Sequence, residues 1–362
     1  MINLNTKDLK AGMVTATPIY SKTGQLLFPA HTALTSQQIS YLEFYAIPSV
    51  LILPEDAVTK EILDGTDDTM VSFSQKVKKS REFHAFKVDY TKKTKVIEDS
   101  FNSLITSDKN YNPGVLLSQI STLYENHLTS LSVFDMLHNM RQIDDTTYAH
   151  CINVAIISRM MGKWLDFPDQ DLDALTLAGI LHDIGKCMID KDILSKPTKL
   201  TDAEFDVVKK HPIMGIEVVD PYHPDDRIRS AILSHHERCD GSGYPYGKKR
   251  DEISEFARII AIADVYDAMT ASRCYRKGFC PFEVIATFER EGYEKFDAKY
   301  LLPFLTHIIN TYMSNSVLLN DGTTGKIIFI NQEALSRPII QGTNGEYINL
   351  FKRPELYIQA II

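Results

Sequence analysis

No stretch of the chain narrows its fold more than His235-His236-Glu237-Arg238-Cys239-Asp240-Gly241-Ser242-Gly243-Tyr244-Pro245. Two adjacent imidazoles and an acid run into a turn made of Gly241, Gly243 and Pro245, which sets metal-ligand chemistry beside a loop whose backbone can approach a ligand closely. Taken alone, the same residues also suit a helix end, with the histidines capping the last carbonyls and glycine ending the helix. The other ligand-type residues favour the metal reading. His150, His182, Asp183, His211 and Asp264 lie in the region 146–313, where nearly every segment is patterned as helix.

Residues 148–161 and 172–184 predict apolar helices carrying His150 and the run His182-Asp183-Ile184-Gly185-Lys186. Thr201-Asp202-Ala203-Glu204 is a capping box that opens a helix leading to His211-Pro212. Residues 228–236 form a helix ending in the opening stretch, 256–270 a buried helix with Asp264 and Asp267, and 281–290 and 300–312 close the bundle. Upstream, residues 1–82 alternate short apolar runs with turns at Ala11-Gly12, Lys22-Thr23-Gly24 and Phe28-Pro29. A helix opening at Thr35 and a buried strand over 49–53 complete that module, which has no visible catalytic chemistry and reads as regulatory or adhesive. Residues 83–140 form a helical linker broken at Asn112-Pro113-Gly114. Its apolar stripe Leu116, Ile120, Leu123, His127, Leu131 and Phe134 either packs on the next domain or pairs with its copy in a homodimer, with His127 a core or interface histidine. Residues 141–313 carry the ligand set. Beyond them, short β-prone runs between Gly322, Gly325, Gly342 and Gly345 predict a β-rich extension over 314–362. The fold class expected is mainly α: a helical bundle with a smaller α/β N-terminal module and a short β-rich C-terminal tail.

A formal net charge of −8 argues against a nucleic-acid polymer or an anionic membrane as the main partner, since both demand a basic face. No apolar run reaches the length of a membrane span, and the first ten residues lack the form of a signal peptide, so a cytoplasmic location is expected. Five cysteines without a C-x-x-C pair fit reduced thiols. Cys151 and Cys239 neighbour the candidate site but are left out of it.

His150, His182, His211, His235 and His236, with Asp183 and Asp264, suffice for two six-coordinate cations sharing one bridging carboxylate. Adjacent side chains on a helix diverge by about 100°, which lets His182 face one cation while Asp183 reaches both. Two cations roughly 4 Å apart suit in-line attack of a bridging water on phosphorus. Lys186, one turn after Asp183, is placed to neutralise a phosphoryl oxygen, or else is a solvated lysine at a helix end. In an acidic chain, Arg273, Arg276 and Lys277 form the obvious anion clamp. Asp267 and Glu237 suit ligand-orienting acids and plain cap or surface acids equally, and stay outside the set.

These motifs resemble the HD-GYP subgroup of the HD phosphohydrolase superfamily over about residues 140–312. The matching elements are His150, His182-Asp183-Ile184-Gly185-Lys186, His211-Pro212-Ile213-Met214-Gly215, the His235–Pro245 stretch and Asp264-Val265-Tyr266-Asp267-Ala268-Met269-Thr270. The resemblance implies a metal-dependent phosphodiesterase that hydrolyses cyclic di-GMP to pGpG or GMP, commonly with iron or manganese. It makes the seven ligand-type residues the metal set, puts Lys186, Arg273 and Arg276 on phosphate, and lines the substrate cleft with Gly243, Tyr244 and Pro245. Other readings are a low-turnover cyclic di-GMP receptor signalling through the N-terminal module, and an HD enzyme for another cyclic dinucleotide such as cyclic GMP-AMP. The chain departs from the family where Cys274 and Ala298 replace common prolines, which bears on the rigidity of the substrate loop. Members with a third cation carry a glutamate one turn before the first ligand histidine. Thr146 stands there, so two metals per chain are expected.

Overall fold

The computed structural model describes residues 2–10, 13–20, 26–28, 34, 39, 42, 47–53, 77, 80–106, 112, 114–127, 133–141, 146–196, 198–271 and 278–362. The chain forms two compact units, residues 1–70 and 71–362.

In the first unit, β1 (Ile2–Asn5) pairs antiparallel with β4 (Ser49–Ile52), and β2 (Ile19–Tyr20) pairs antiparallel with β3 (Leu26–Phe28). Val50 and Ile52 point inward and Leu51 outward, the period of two that a half-buried strand requires. They meet Leu9, Ile19, Leu34, Leu42 and Ile47 in a small core. The expected turns at Ala11-Gly12 and Lys22-Thr23-Gly24 lie outside the described residues, as does most of the expected helix after Thr35.

The second unit is built around α4 (Thr147–Trp164), in which every residue from Ala149 to Gly162 is buried. A helix buried on all sides has to be central. The Thr146 hydroxyl caps it by accepting from the Ala149 N–H. Before it come α1 (Arg81–Ile105), α2 (Gly114–His127) and α3 (Val133–Arg141). Ser80 caps α1, which buries Phe83, Phe86, Tyr90, Ile97, Phe101 and Leu104 along one face. Of the stripe expected over 116–134, the described residues lie on α2 and α3. Leu116, Ile120, Leu123 and Phe134 all join the core that α4 occupies, while the His127 side chain and Leu131 lie outside the described residues.

After α4 come α5 (Asp169–Leu181), α6 (Asp202–Val208), α7 (His211–Val219), α8 (Asp226–Ser234), α9 (Glu255–Thr270), α10 (Pro281–Thr287) and α11 (Ala298–Thr311). The capping box expected at Thr201 and Glu204 is present, with both reciprocal bonds. The C-terminal residues form a five-stranded antiparallel sheet in the order β8-β7-β6-β5-β9: β5 (Ser316–Leu319), β6 (Thr324–Phe329), β7 (Ile339–Gly342), β8 (Tyr347–Asn349) and β9 (Ile358–Ile361). Val317, Leu319, Ile327, Ile340 and Ile358 pack into the helical core. The Glu289 carboxylate fastens the sheet to the helices by accepting from the backbone of Leu335 and Ser336. No described helix is long and apolar enough to cross a membrane.

Candidate metal centre

Ends of four helices and the middle of a fifth meet beside α4. His150 lies in the first turn of α4, His182 and Asp183 just beyond α5, His211 at the start of α7, His235 and His236 just beyond α8, and Asp264 within α9. The two adjacent pairs therefore leave their helices before they diverge. Gly185 permits the approach of α7: a Cβ there would lie 2.0 Å from the His211 carbonyl oxygen. His182, Asp183, His211 and His235 are fully buried, and His150 and Asp264 nearly so.

Three imidazoles are held in one way. Nδ1 of His182, His211 and His235 lies 2.7, 2.7 and 2.8 Å from the carbonyl oxygens of Gly179, Val208 and Ile232. A carbonyl only accepts, so each Nδ1 carries the proton and each Nε2 turns a lone pair inward. His150 Nδ1 is bound instead by Asp267 Oδ2 at 2.7 Å.

The inward atoms fall into two groups that could each hold a cation: Asp183, His211, His235 and His236, and His150, His182 and Asp264. Asp183 stands between them. Its Oδ1 lies 3.2 and 3.6 Å from Nε2 of His211 and His235, and its Oδ2 lies 3.4 and 3.6 Å from Nε2 of His182 and His150. The donor set fits divalent cations on two further counts. His182 Nε2, His236 Nε2 and Asp183 Oδ1 are buried without a hydrogen-bond partner, an unusual cost for three polar atoms of these two groups. His211 and His235 bring Nε2 atoms within 3.2 Å of each other, about the spacing of neighbouring ligands on one ion.

Charge at the site follows from burial and pairing. Burial lowers His235 to about 4, against the pull of Asp183, and holds His236 well below its ordinary value, so both rings are neutral at neutral pH. For His150 burial also opposes charge, but the hydrogen bonds of Asp264 and Asp267 outweigh it and raise the ring to about 9. The carboxylates that favour a proton there favour a cation equally. Asp183 and Asp264 are held well below the carboxylate range despite burial, Asp183 chiefly by the Lys186 ammonium and Asp264 chiefly by its hydrogen bond from His150.

Lys186 lies in a 3-10 turn after Asp183 and donates to Asp183 Oδ2, so it borders the centre and its first partner is a candidate ligand. Gly243 passes close under the His236 segment, where a Cβ would lie 2.4 Å from the Glu237 Cα. The Tyr244 ring then stacks on His236 at 4.6 Å, ahead of a cis bond to Pro245. Arg273 and Arg276 lie outside the described residues. The Thr146 hydroxyl is occupied as a helix cap.

Three residues outside the sequence-derived set bear on the centre. Asp267 orients His150, and its signal was the Asp264/Asp267 spacing on one helix. Glu237 is buried, and its two carboxylate oxygens accept from the N–H groups of Tyr246 and Lys248 at 2.8 and 2.9 Å, which pins the loop carrying Tyr244. Phe205 on α6 is 46% exposed and meets the Tyr244 ring edge-on at 6.3 Å. Its signal was an aromatic ring set between two acids, Glu204 and Asp206.

Residues 122–300 match the model of the HD domain. The cyclic di-GMP phosphodiesterase PA4108 of Pseudomonas aeruginosa is 34% identical to this chain over 228 residues, covering 62% of this chain and 54% of that protein. The chain belongs to the HD domain family. The 3'3'-cGAMP-specific phosphodiesterase 3 of Vibrio cholerae is 35% identical over 151 residues, 42% of this HD-domain chain and 33% of that relative. The chain thus spans about half or less of the length of these relatives. Among solved structures, Bd1817, a HDG"Y"P protein from Bdellovibrio bacteriovorus, is similar with a TM-score of 0.51 over 84% of this chain and 97% of its own at 17% identity, a likeness of fold. The family brings divalent-metal hydrolase chemistry with it, and the two clusters of His and Asp side chains are where this chain could hold the metal.

Proposed function

We propose that this chain is a metal-dependent phosphodiesterase that hydrolyses cyclic di-GMP to pGpG, GMP or both at a dinuclear centre of iron or manganese. The observation that carries this reading is Asp183, whose two oxygens face separate sets of imidazoles. His211, His235 and His236 would hold one cation, His150, His182 and Asp264 the other, and Asp183 both. Such a pair, when bound, supplies Lewis acidity and a nucleophile at neutral pH. The chain's own residues do the rest. Neutral His235 and His236 and ionised Asp183 and Asp264 are in the protonation states that ligation needs. Lys186 brings positive charge to the edge of the centre, where it can meet charge growing on a phosphoryl oxygen. Arg273 and Arg276 are the clamp for the second phosphate. Tyr244, stacked on His236 and followed by the exposed Phe205, offers aromatic faces to a base.

A second substrate is favoured by a specific observation: relatives in Vibrio cholerae are named for 3'3'-cGAMP, at identities close to those of the cyclic di-GMP enzymes. The test is to purify the protein without oxygen, load it with Fe²⁺ or Mn²⁺, and follow cyclic di-GMP and 3'3'-cGAMP by anion-exchange chromatography. Linear products support the reading, and the faster substrate decides between the two. Tight binding of cyclic di-GMP without product would make the protein a receptor, and neither binding nor turnover would refute the proposal.

A further inference from the structure

A chain of buried hydrogen bonds runs from α1 to the candidate centre. The Tyr90 hydroxyl lies 2.8 Å from Asn153 Oδ1, Asn153 Nδ2 donates to Asp267 Oδ1 at 2.8 Å, and Asp267 Oδ2 binds His150 Nδ1 at 2.7 Å. Tyr90 and Asn153 are fully buried and Asp267 is 2% exposed. Direction matters along this chain. An asparagine amide presents an oxygen or an NH₂ depending on how it is turned, and only the NH₂ suits a carboxylate. The single proton of the Tyr90 hydroxyl is shared between the Asn153 oxygen at 2.8 Å and the Ala149 carbonyl at 2.9 Å, and its hold on that oxygen keeps the NH₂ on Asp267. Asp267 thereby stays aimed at His150, fixing the ring with Nε2 inward.

We infer that Tyr90 is a positioning residue for one cation of the pair: through Asn153 and Asp267 its hydroxyl sets the affinity of the subsite formed by His150, His182 and Asp264. This rests on the dinuclear reading above. In the other group His211 and His235 take their orientation from backbone carbonyls, outside this chain of hydrogen bonds. Tyr90 lies on α1, so the seating of that helix reaches the candidate centre through one hydroxyl.

The experiment titrates Mn²⁺ alone into metal-free full-length protein, read by equilibrium dialysis and electron paramagnetic resonance. Wild type is expected to bind two equivalents with the spectrum of a coupled pair. Tyr90→Phe, which keeps the buried ring, is expected to bind one equivalent as wild type does and the other about 10-fold more weakly, with a mononuclear spectrum at intermediate Mn²⁺. Asn153→Ala breaks the next link and should give the same selective loss. Asp267→Asn should lose at least as much, and Tyr90→Phe added to it should lose little more, because both act along one path. A residue that served packing alone would lower the unfolding midpoint without separating the two equivalents. Both equivalents binding to Tyr90→Phe with wild-type affinity, or the two substitutions adding fully, overturns the inference while the metal centre stands. A wild-type chain that binds no Mn²⁺ overturns the dinuclear reading and this inference with it.

Discussion

Glu237→Gln tests whether the acid after the paired histidines organises the substrate loop. The substitution keeps the size of the side chain and one acceptor oxygen, and turns the other oxygen into a donor. Of the Tyr246 and Lys248 N–H groups that Glu237 now receives, one would face an NH₂ and the other would lose a charged acceptor. Leaving a fully buried donor unpaired costs about 1–3 kcal/mol, and hydrogen bonds to charged groups contribute roughly twice as much as neutral ones. Both N–H groups are only partly buried, so water recovers part of this, and the expected net loss is about 1–2 kcal/mol. It falls on the loop around 243–248, because the Glu237 carboxylate spends its hydrogen bonds on Tyr246 and Lys248. Hydrogen exchange at the Tyr246 and Lys248 amides should therefore speed up by about 5–30-fold while the amides of α4 keep their protection. With Tyr244 less firmly held on His236, KM for the cyclic dinucleotide should rise and bound metal should stay constant. Unchanged exchange at both amides would refute the loop-pinning role, and loss of metal comparable to replacing a histidine would make Glu237 part of the centre itself.

Asp183→Asn should strip most of the bound metal and abolish turnover, as elemental analysis beside a rate assay would show; intact metal content would remove Asp183 from its place between the two groups. Lys186→Gln should keep the metal while lowering kcat by about 10²–10³-fold, the loss typical of a group acting on the transition state, and metal loss at an unchanged rate per ion would contradict it. Phe205→Ala should raise KM by about 5–10-fold with kcat nearly constant, since base stacking contributes on the order of 1–3 kcal/mol; an unchanged KM would leave Phe205 a surface residue. Burial pushes the Asp135 carboxyl on α3 up to about 7 from an ordinary 3.8, so the folded chain holds a proton that the unfolded chain releases between those values. Stability contributed by that proton is complete below the lower value and lost as pH rises to the upper one. Asp135→Asn should consequently gain on wild type by on the order of 1–3 kcal/mol at pH above about 7 and show no gain below about pH 4, read from urea midpoints.

Much of the centre was legible because its residues announce themselves locally. The pairs His182-Asp183 and His235-His236 are adjacent, and caps and apolar periodicity mark where their helices stop. The helix around His150 and the capping box at Thr201 were legible for the same reason. What escaped depends on contacts that no local pattern encodes. Tyr90 meets Asn153 across 63 residues and Asn153 meets Asp267 across 114, and neither spacing leaves a trace in composition or period. Periodicity also cannot say what covers a stripe. Leu116, Ile120 and Leu123 look the same in sequence whether they meet a second copy or, as here, the core of their own chain.

One rule does connect the local signal to the chemistry. A helix leaves its last four carbonyls without intrahelical donors, and its C-terminal end carries partial negative charge. His182, His211 and His235 each stand three residues after the carbonyl they bind, at the ends of α5, α6 and α8. Each ring spends its Nδ1 proton on an orphan carbonyl, which leaves Nε2 as the only free nitrogen and aims it past the end of the helix. The same stroke satisfies the backbone, fixes the tautomer and turns three negative helix ends toward one point, an arrangement that favours positive charge there before Asp183 and Asp264 contribute theirs. His150 lies in the first turn of its helix, where the backbone presents unpaired N–H groups and no spare carbonyl, so its Nδ1 needs an acceptor from elsewhere. That need is met by Asp267, and it explains why the side-chain relay to Tyr90 serves this histidine and none of the other three.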